Sequence, residues 1–204
     1  NTNANYSSAL NLTIDTRLPT VTAFSTTTAN GTYKSGSAIN ITATTSEAVQ
    51  SGNTITATLD TGATVTLTAA SAGTSLTGTY TVGASHTSSD LTVSSFTIGT
   101  VLDTAGNAMS STTVPSGSSN IGGAKAIVID GVVPTMTVSA SPTSVSSGGT
   151  STITFTASEA TSTFALADTS TTLGSLSNFQ SVSSTPYTAT FTAAQSVGGT
   201  AVVT

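Results

Sequence analysis

The chain has 204 residues, of which only 5% are charged, and its formal net charge at pH 7 is −5. Three basic residues do not make a phosphate-binding surface, so nucleic-acid binding is excluded. The chain has no cysteine, which excludes disulfides and cysteine metal sites, and its longest apolar runs are too short to span a membrane.

Serine and threonine, roughly 40% of the residues, must therefore supply most of the polar surface. The composition is still that of a folded protein, because Val, Ile, Leu and Phe recur in short alternating runs and threonine suits exposed strand positions. No signal peptide precedes these runs, and Asn1 is not a natural start. We expect a mature or excised segment of a secreted protein.

A repeat organises the chain. The segment NLTIDTRLPTVT at 11–22 returns as AIVIDGVVPTMT at 126–137, and the aspartates Asp15 and Asp130 give the offset (130 − 15 = 115). The triplet Ser-Glu-Ala at 46–48 returns at 158–160, with an offset of 112 (158 − 46 = 112). Repeats of this length correspond to small domains, so the chain is predicted to be part of a tandem array.

Residues 1–14 stand before the first complete repeat. The segment 5–14 ends immediately before Asp15, just as the segment 120–129 ends immediately before Asp130. We therefore predict that residues 1–14 form the last strand of a preceding repeat, or a donor strand for another subunit. The residues predicted to face a partner are Tyr6, Leu10, Leu12 and Ile14.

Residues 15–130 are predicted to form a complete immunoglobulin-like domain. Alternation between apolar and polar residues indicates seven strands, and the phase of alternation slips at Ser94-Ser95, which predicts a β-bulge there. The segments 29–36 and 83–90 are expected to be turn and loop. The predicted strands are 20–25, 38–44, 54–59, 63–69, 75–82, 90–98 and 124–129.

Residues 131–204 are predicted to form a second immunoglobulin-like domain that lacks its last strand. No stretch of the chain shows a helical period. The fold class is therefore expected to be all-β, with tandem immunoglobulin-like β-sandwiches of about seven strands each and no substantial helix. The predicted strands of the second domain are 135–140, 150–157, 163–167, 175–179, 187–192 and 200–204.

A spare strand in front and a missing strand behind have two explanations. The chain is either a piece of a longer protein, or its subunits assemble head to tail. In the second case residues 5–14 of one subunit would complete the second domain of the next, since an incomplete sandwich exposes unpaired backbone and apolar surface.

Few carboxylates are present, and several are predicted to meet at one end of the first domain. In an alternating sandwich, the loop after the second strand holds Glu47 and the loop before the last strand holds Asp103 and Asn107. Both loops should lie beside Asp15. Calcium suits such a set, with an affinity on the order of 10⁻⁴–10⁻³ M. The alternative is that these residues only cap turns.

The same residues carry a family resemblance. The segments IDTRLPTV, SEAV and LDTAGNAM resemble the bacterial Ig-like repeats of large secreted adhesins and surface-layer proteins, and TITFTASEAT, GSLSNF and PYTATFTAA resemble a related subtype. The resemblance implies extracellular spacer modules, often with calcium at their linkers. It supports one calcium site at Asp15, Glu47, Asp103 and Asn107 and another at Asp130 and Glu159. The second domain lacks a segment like Asp-x-Ala-Gly-Asn, which is a departure from the pattern.

Together these features predict a non-catalytic stalk module of a repetitive bacterial cell-surface adhesin, with its junctions stiffened by calcium. The partners would be neighbouring repeats of the same protein. The alternative is a subunit of a surface layer or extracellular filament, assembled by lateral contacts or by exchange of a donor strand. An enzyme is not expected, because His86 is the only histidine and no tryptophan is present to line a sugar cleft.

Overall fold

The computed structural model describes residues 13–204, and its fold is all-β, as predicted. The chain divides after Val132 into two compact units, called unit 1 and unit 2 below. The longest helix among the described residues is the four-residue α1 (Ile121–Ala124), so none of them forms a helix long enough to span a membrane. The predictions for residues 1–12, including Tyr6, Leu10 and Leu12, lie outside the described residues.

The described part of unit 1, residues 13–132, contains nine strands in two sheets. The first sheet has the order β1-β3-β6-β5-β4-β8, and in the second, β9 lies between β2, to which it is parallel, and β7. A 3₁₀ turn, Gly117–Ser119, precedes α1. The strands are β1 (Val21–Ser25), β2 (Gly31–Lys34), β3 (Ala38–Val49), β4 (Thr54–Leu59), β5 (Thr64–Thr68), β6 (Gly73–Thr81), β7 (Thr87–Ser88), β8 (Val93–Ile98) and β9 (Ile127–Asp130).

The core of unit 1 follows from the two-residue period of its strands. Strand β3 buries Ile39 and Ile41, and β4 buries Ile55 and Leu59, while threonines fill the positions between them. Strands β5 and β6 pair at Thr68 and Thr77, and the halves of the sheet on either side contribute to one apolar cluster. The sheet therefore folds over itself around a single core.

Three features of unit 1 differ from the sequence prediction or sharpen it. Strands β2 and β7 lie in segments predicted as turn and loop; they form because β9 offers each a backbone partner, a contact distant in sequence. Strand β3 continues to Val49, five residues beyond its predicted end. The bulge is confirmed: Thr58 pairs with Ser95 and Leu59 with Val93, which passes over Ser94.

Unit 2 contains one four-stranded antiparallel sheet in the order β10-β11-β13-β12. The strand predicted at 163–167 is wrong, because Asp168 accepts a hydrogen bond from the Ala165 amide and closes a 3₁₀ turn, Leu166–Asp168. The predicted strand 200–204 is reduced to a bridge between Val203 and Thr171. The strands are β10 (Met136–Ser141), β11 (Thr150–Ala157), β12 (Gly174–Ser181) and β13 (Pro186–Ala193).

Both units begin with the same pair of hydrogen bonds. The Thr20 amide donates to Ser46 Oγ (3.0 Å) and the Ser46 amide donates to the Thr20 carbonyl (2.9 Å). In unit 2, Thr135 and Ser158 make the same two bonds, at 2.9 and 2.8 Å. The repeated Pro-Thr and Ser-Glu-Ala motifs are therefore two halves of one clamp, which fixes the incoming chain against β3 in unit 1 and against the segment that follows β11 in unit 2.

Candidate metal centre

Three of the predicted ligands meet in unit 1. Carboxylate oxygens of Asp15, Glu47 and Asp103 all lie within 4.8 Å of one another. Asp15 lies in residues 13–20, the part of unit 1 that precedes β1 and is called the connector below. Glu47 lies near the end of β3, and Asp103 forms a bridge with Val49. Sequence analysis places Glu47 in a loop; it lies in a strand instead, because β3 keeps backbone partners as far as Val49, which pairs with Gly73 and forms a bridge with Asp103.

Asp103 organises its own turn. It is only 1% exposed, and its Oδ1 accepts hydrogen bonds from the amides of Ala105 and Asn107, both at 2.8 Å. Its Oδ2 accepts a bond from the Asn107 side chain, also at 2.8 Å. Desolvation acts to raise the pKa of Asp103, but the hydrogen bonds from Asn107, Gly106 and Ala105 outweigh it and hold the pKa below 3.8. Asp103 is therefore charged at neutral pH.

Asn107 connects this turn to the connector. Its Nδ2 donates to the Asp15 carbonyl (3.1 Å) as well as to Asp103 Oδ2. The amide thus turns its nitrogen toward both aspartates and ties the 103–107 turn to the chain that precedes β1. In this orientation Asn107 positions the carboxylates; contact between its oxygen and a cation stays a prediction.

Within the cluster, the pKa of Glu47 is raised. Desolvation is the largest cause that raises its pKa above 4.5, and the negative charges of Asp15 and Asp103 raise it further. Arg17 lowers the pKa in opposition, but the net direction is upward. The ionised form of Glu47 is therefore disfavoured at this position, and a bound cation would reverse that effect.

Turn capping accounts for only part of this arrangement. Asp15 accepts a hydrogen bond from the Arg17 amide (3.0 Å), and Asp130 accepts one from the Val132 amide (3.3 Å), so the repeated aspartate closes the same local turn in both places. Glu47 lies in strand β3, and no turn requires a carboxylate there. Turn chemistry therefore explains the aspartates and leaves Glu47 unexplained.

The second predicted set is Asp130 and Glu159. Glu159 follows Ser158 of the second clamp as Glu47 follows Ser46 of the first. Its Oε1 is buried and has no hydrogen-bond partner among residues 13–204. Asp130 belongs to unit 1 and Glu159 to unit 2, and a shared cation site between them stays a prediction.

Sequence analysis missed the structural importance of two side chains. His86 Nδ1 accepts hydrogen bonds from the Gly83 amide (3.0 Å) and lies 2.9 Å from the Tyr80 hydroxyl, so it anchors the loop before β7. Asn120, 7% exposed, accepts from the amides of Val93 and Ile121 and donates to the Val93 carbonyl. A signal for Asn120 exists in the repeat, because Asn5 lies 115 residues earlier (120 − 115 = 5).

Among the predicted donor-strand residues, Ile14 is described, and its side chain is 78% exposed. Its counterpart in the repeat is Ile129 (14 + 115 = 129), which is 2% exposed in β9. The same apolar residue is therefore buried in one copy of the repeated segment and open in the other.

Comparison with known proteins supports the resemblance seen in the sequence. Residues 130–204 match the family described as bacterial Ig-like domain. A search of curated proteins gave no match to the chain. The matched segment begins at Asp130, the repeated aspartate, and covers all of unit 2. Residues 130–204 are thus a bacterial Ig-like domain, and the prediction of bacterial Ig-like repeats is confirmed there.

Proposed function

We propose that the chain is a non-catalytic, extracellular spacer module of a repetitive bacterial surface protein of the adhesin type, stiffened by calcium where the chain joins successive domains. The observation that carries this proposal is the meeting of Asp15, Glu47 and Asp103, with carboxylate oxygens within 4.8 Å of one another. The chain has few charged residues, yet three carboxylates lie together where the connector contacts the rest of unit 1.

A cation at this position would act as a mechanical tie. Asp15 belongs to the connector, whereas Glu47 and Asp103 belong to the body of unit 1, so one ion bound by all three would hold the connector in place. Calcium fits best, because it takes carboxylate, carbonyl and water oxygens with tolerant geometry, while magnesium demands a near-ideal octahedron. Restricting the connector restricts whatever precedes it, which is the property required of a stalk.

Calcium titration of the full chain tests the site. With a dissociation constant on the order of 10⁻³ to 10⁻⁴ M, 10 mM calcium should stabilise unit 1 by about 1 to 3 kcal/mol. The expected result is a melting temperature several degrees higher in calcium than in chelator, and a smaller increase in magnesium. Calorimetry would measure both.

Two variants identify the ligands. Glu47→Gln removes one cluster carboxylate and should abolish the calcium-dependent rise in melting temperature. Asp90→Asn removes one exposed carboxylate outside the cluster and should preserve it. The calcium site would be contradicted if calcium left the melting temperature of the wild-type chain unchanged. It would also be contradicted if calcium raised the melting temperatures of the two variants equally.

Solution scattering tests the stalk function separately. If calcium stiffens the junctions, the scattering profile should report a narrower range of dimensions in calcium than in chelator. An unchanged profile accompanied by a normal rise in melting temperature would leave calcium binding intact and contradict the stiffening.

Labelling of intact producing cells with antibodies against the chain tests its exposure at the surface.

A further inference from the structure

Strand β9 is the last strand of unit 1, and it is hydrogen-bonded along both of its edges. On one edge β2 pairs with it in parallel over four residues, from Gly31 opposite Ile127 to Lys34 opposite Asp130. On the other edge β7 pairs with it in antiparallel orientation. The chain continues from β9 through Gly131 into unit 2, so a pulling force on that connection passes through β9.

Such a force acts along β9 and not across it. Strand β1 is antiparallel to β3. Strand β2 also runs opposite to β3, because a tight turn joins them, closed by a bond from the Ser37 amide to the Lys34 carbonyl (3.1 Å). Since β9 is parallel to β2, the connector enters unit 1 at one end of these strands and Gly131 leaves at the opposite end. A pull between the two ends slides β9 past β2 and β7.

Sliding is the direction in which paired strands resist separation most strongly. The evenly spaced bonds of a parallel pair are all strained at once by sliding, whereas peeling from one end breaks them one after another. Sliding also withdraws Ile127 and Ile129 from the core, where they are 0% and 2% exposed. The kinetic barrier is therefore higher for sliding, and forced unfolding is governed by that barrier and not by equilibrium stability.

Two further bonds reinforce the pairing of β2 with β9 at the start of both strands. The Gly31 amide donates to the Ala126 carbonyl (3.0 Å), and the Ala126 amide donates to Asn30 Oδ1 (3.1 Å). The Asn30 side chain thus takes the place of a backbone carbonyl just before β2 begins. The bonded segment therefore extends one residue beyond the first residue of β9.

The loop before β7 holds the other end of β9. The Gly131 amide donates to the His86 carbonyl (2.8 Å), and the Ser85 amide donates to the Gly131 carbonyl (3.1 Å). The backbones approach so closely that a Cβ atom on Gly131 would overlap the Gly83 carbonyl oxygen. The loop is itself anchored to β6, since His86 Nδ1 lies 2.9 Å from the Tyr80 hydroxyl. The residue by which the chain leaves β9 is therefore fixed to the body of unit 1.

We propose that β2, β9 and the loop before β7 form a brace that keeps unit 1 folded while the chain is under tension. This inference deepens the proposed spacer function and rests on it, because only a module held at both ends is pulled. It does not depend on calcium binding. Asn30 reinforces one end of the brace, and the close approach at Gly131 reinforces the other.

Single-molecule pulling of the full chain in chelator tests the brace. The chain has no cysteine, so handles can be attached to engineered thiols. Handles on Thr16→Cys and Val132→Cys make β9 slide. Handles on Thr16→Cys and Lys125→Cys pull at the end where the connector enters and peel β9 from its first residue. Unit 1 should unfold at a several-fold higher force with the first pair of handles. Equal forces would overturn the proposal.

Three variants, pulled between residues 16 and 132, locate the brace. Gly131→Ala forces the loop away from β9 and Asn30→Ala removes the bond to Ala126, so each should lower the unfolding force. Asn53→Ala is the matched control, because Asn53 Oδ1 accepts a bond from the Leu102 amide (2.6 Å), outside the brace. It should lower the melting temperature and leave the unfolding force unchanged.

The control also separates the brace from general stability. If Asn53→Ala lowered the unfolding force as much as Gly131→Ala and Asn30→Ala do, the force would follow overall stability and the brace would be refuted. That result would leave the spacer function standing, because calcium binding, stiffening and surface exposure have their own measurements.

Discussion

Units 1 and 2 start alike and end differently. Each contains a clamp between Thr and Ser, preceded in the chain by an Asx turn at the repeated aspartate, and each builds its first strand pair beside that clamp. Unit 1 then closes its sandwich with β9, and the buried residues of its core cluster come from seven of its strands and from α1. In unit 2 the buried cluster is confined to β11 and β13, and several apolar side chains around it are only partly buried.

The difference shows how much one strand contributes to such a domain. Strand β9 contributes two isoleucines to the core, and it also gives β2 and β7 the backbone partners that make them strands. Among the described residues of unit 2, β9 has no counterpart, and residues 143–146, which lie 112 residues after β2, form no strand. Strand β9 therefore makes strands of the two segments that flank it.

The largest expected effect comes from truncating that strand. Ile129→Ala in unit 1 should lower the free energy of unfolding by about 2–5 kcal/mol, because it leaves a cavity at a 2% exposed position. The matched variant Ile14→Ala, at 78% exposure, should change it by less than about 0.5 kcal/mol in dilute solution. Denaturant unfolding followed by circular dichroism would measure both. Equal effects would refute the contrast between the two segments.

A smaller loss is expected when Asn120 is replaced. Asn120→Ala leaves the amides of Val93 and Ile121 and the Val93 carbonyl without their partner, at a cost of about 1–3 kcal/mol. Hydrogen exchange should then accelerate at Val93 and Ile121 while unit 2 stays protected. Unchanged exchange at those amides would show that the side chain is not what holds the two segments together.

The clamp should contribute equally in both units. Ser46→Ala and Ser158→Ala each remove one hydrogen bond to a backbone amide, which is expected to cost about 0.5–1.5 kcal/mol in the unit concerned. Ser35→Ala, in the exposed turn after β2, serves as the control and should be near neutral. If only one of the two substitutions lowered the stability of its unit, the Ser-Glu-Ala triplet would not have the same structural role in both units.

The smallest effect concerns pH and distinguishes Glu47 from Asp103. Because the pKa of Glu47 is raised in the folded state, its contribution to stability is full below its ordinary pKa of 4.5 and is lost as pH rises through the folded value. Without calcium, the wild type should therefore lose stability relative to Glu47→Gln as the pH rises from 4.5 toward neutral.

Asp103 has the opposite sign. Its pKa is lowered, so its contribution is full above 3.8 and disappears as the pH falls through the folded value. Thermal melts of the wild type and of Glu47→Gln from pH 3 to pH 8, with and without calcium, would measure how stability depends on pH. The Glu47 slope should vanish when calcium is bound. A slope that persists unchanged in calcium would separate Glu47 from the proposed site.

Much of the fold could be read from the sequence because it depends on local alternation. Strands β4 and β11 have the predicted bounds, and the bulge at Ser94 was visible as a slip in phase. The segments 29–36 and 163–167 were assigned wrongly. In the first, a distant strand supplies the partner for β2; in the second, the side chain of Asp168 closes a turn in place of a strand.

The sequence by itself determined the repeat, the all-β class and the convergence of Asp15, Glu47 and Asp103, because a two-residue period and an equal spacing of motifs are properties of the chain. Tertiary structure decided what those motifs do. Only folding shows that Ser46 clamps Thr20, that Asn107 presents its amide nitrogen, and that β9 makes strands of β2 and β7. These outcomes depend on which distant backbone groups meet, and a pairing such as that of Gly31 with Ile127, 96 residues apart (127 − 31 = 96), leaves no mark in local composition.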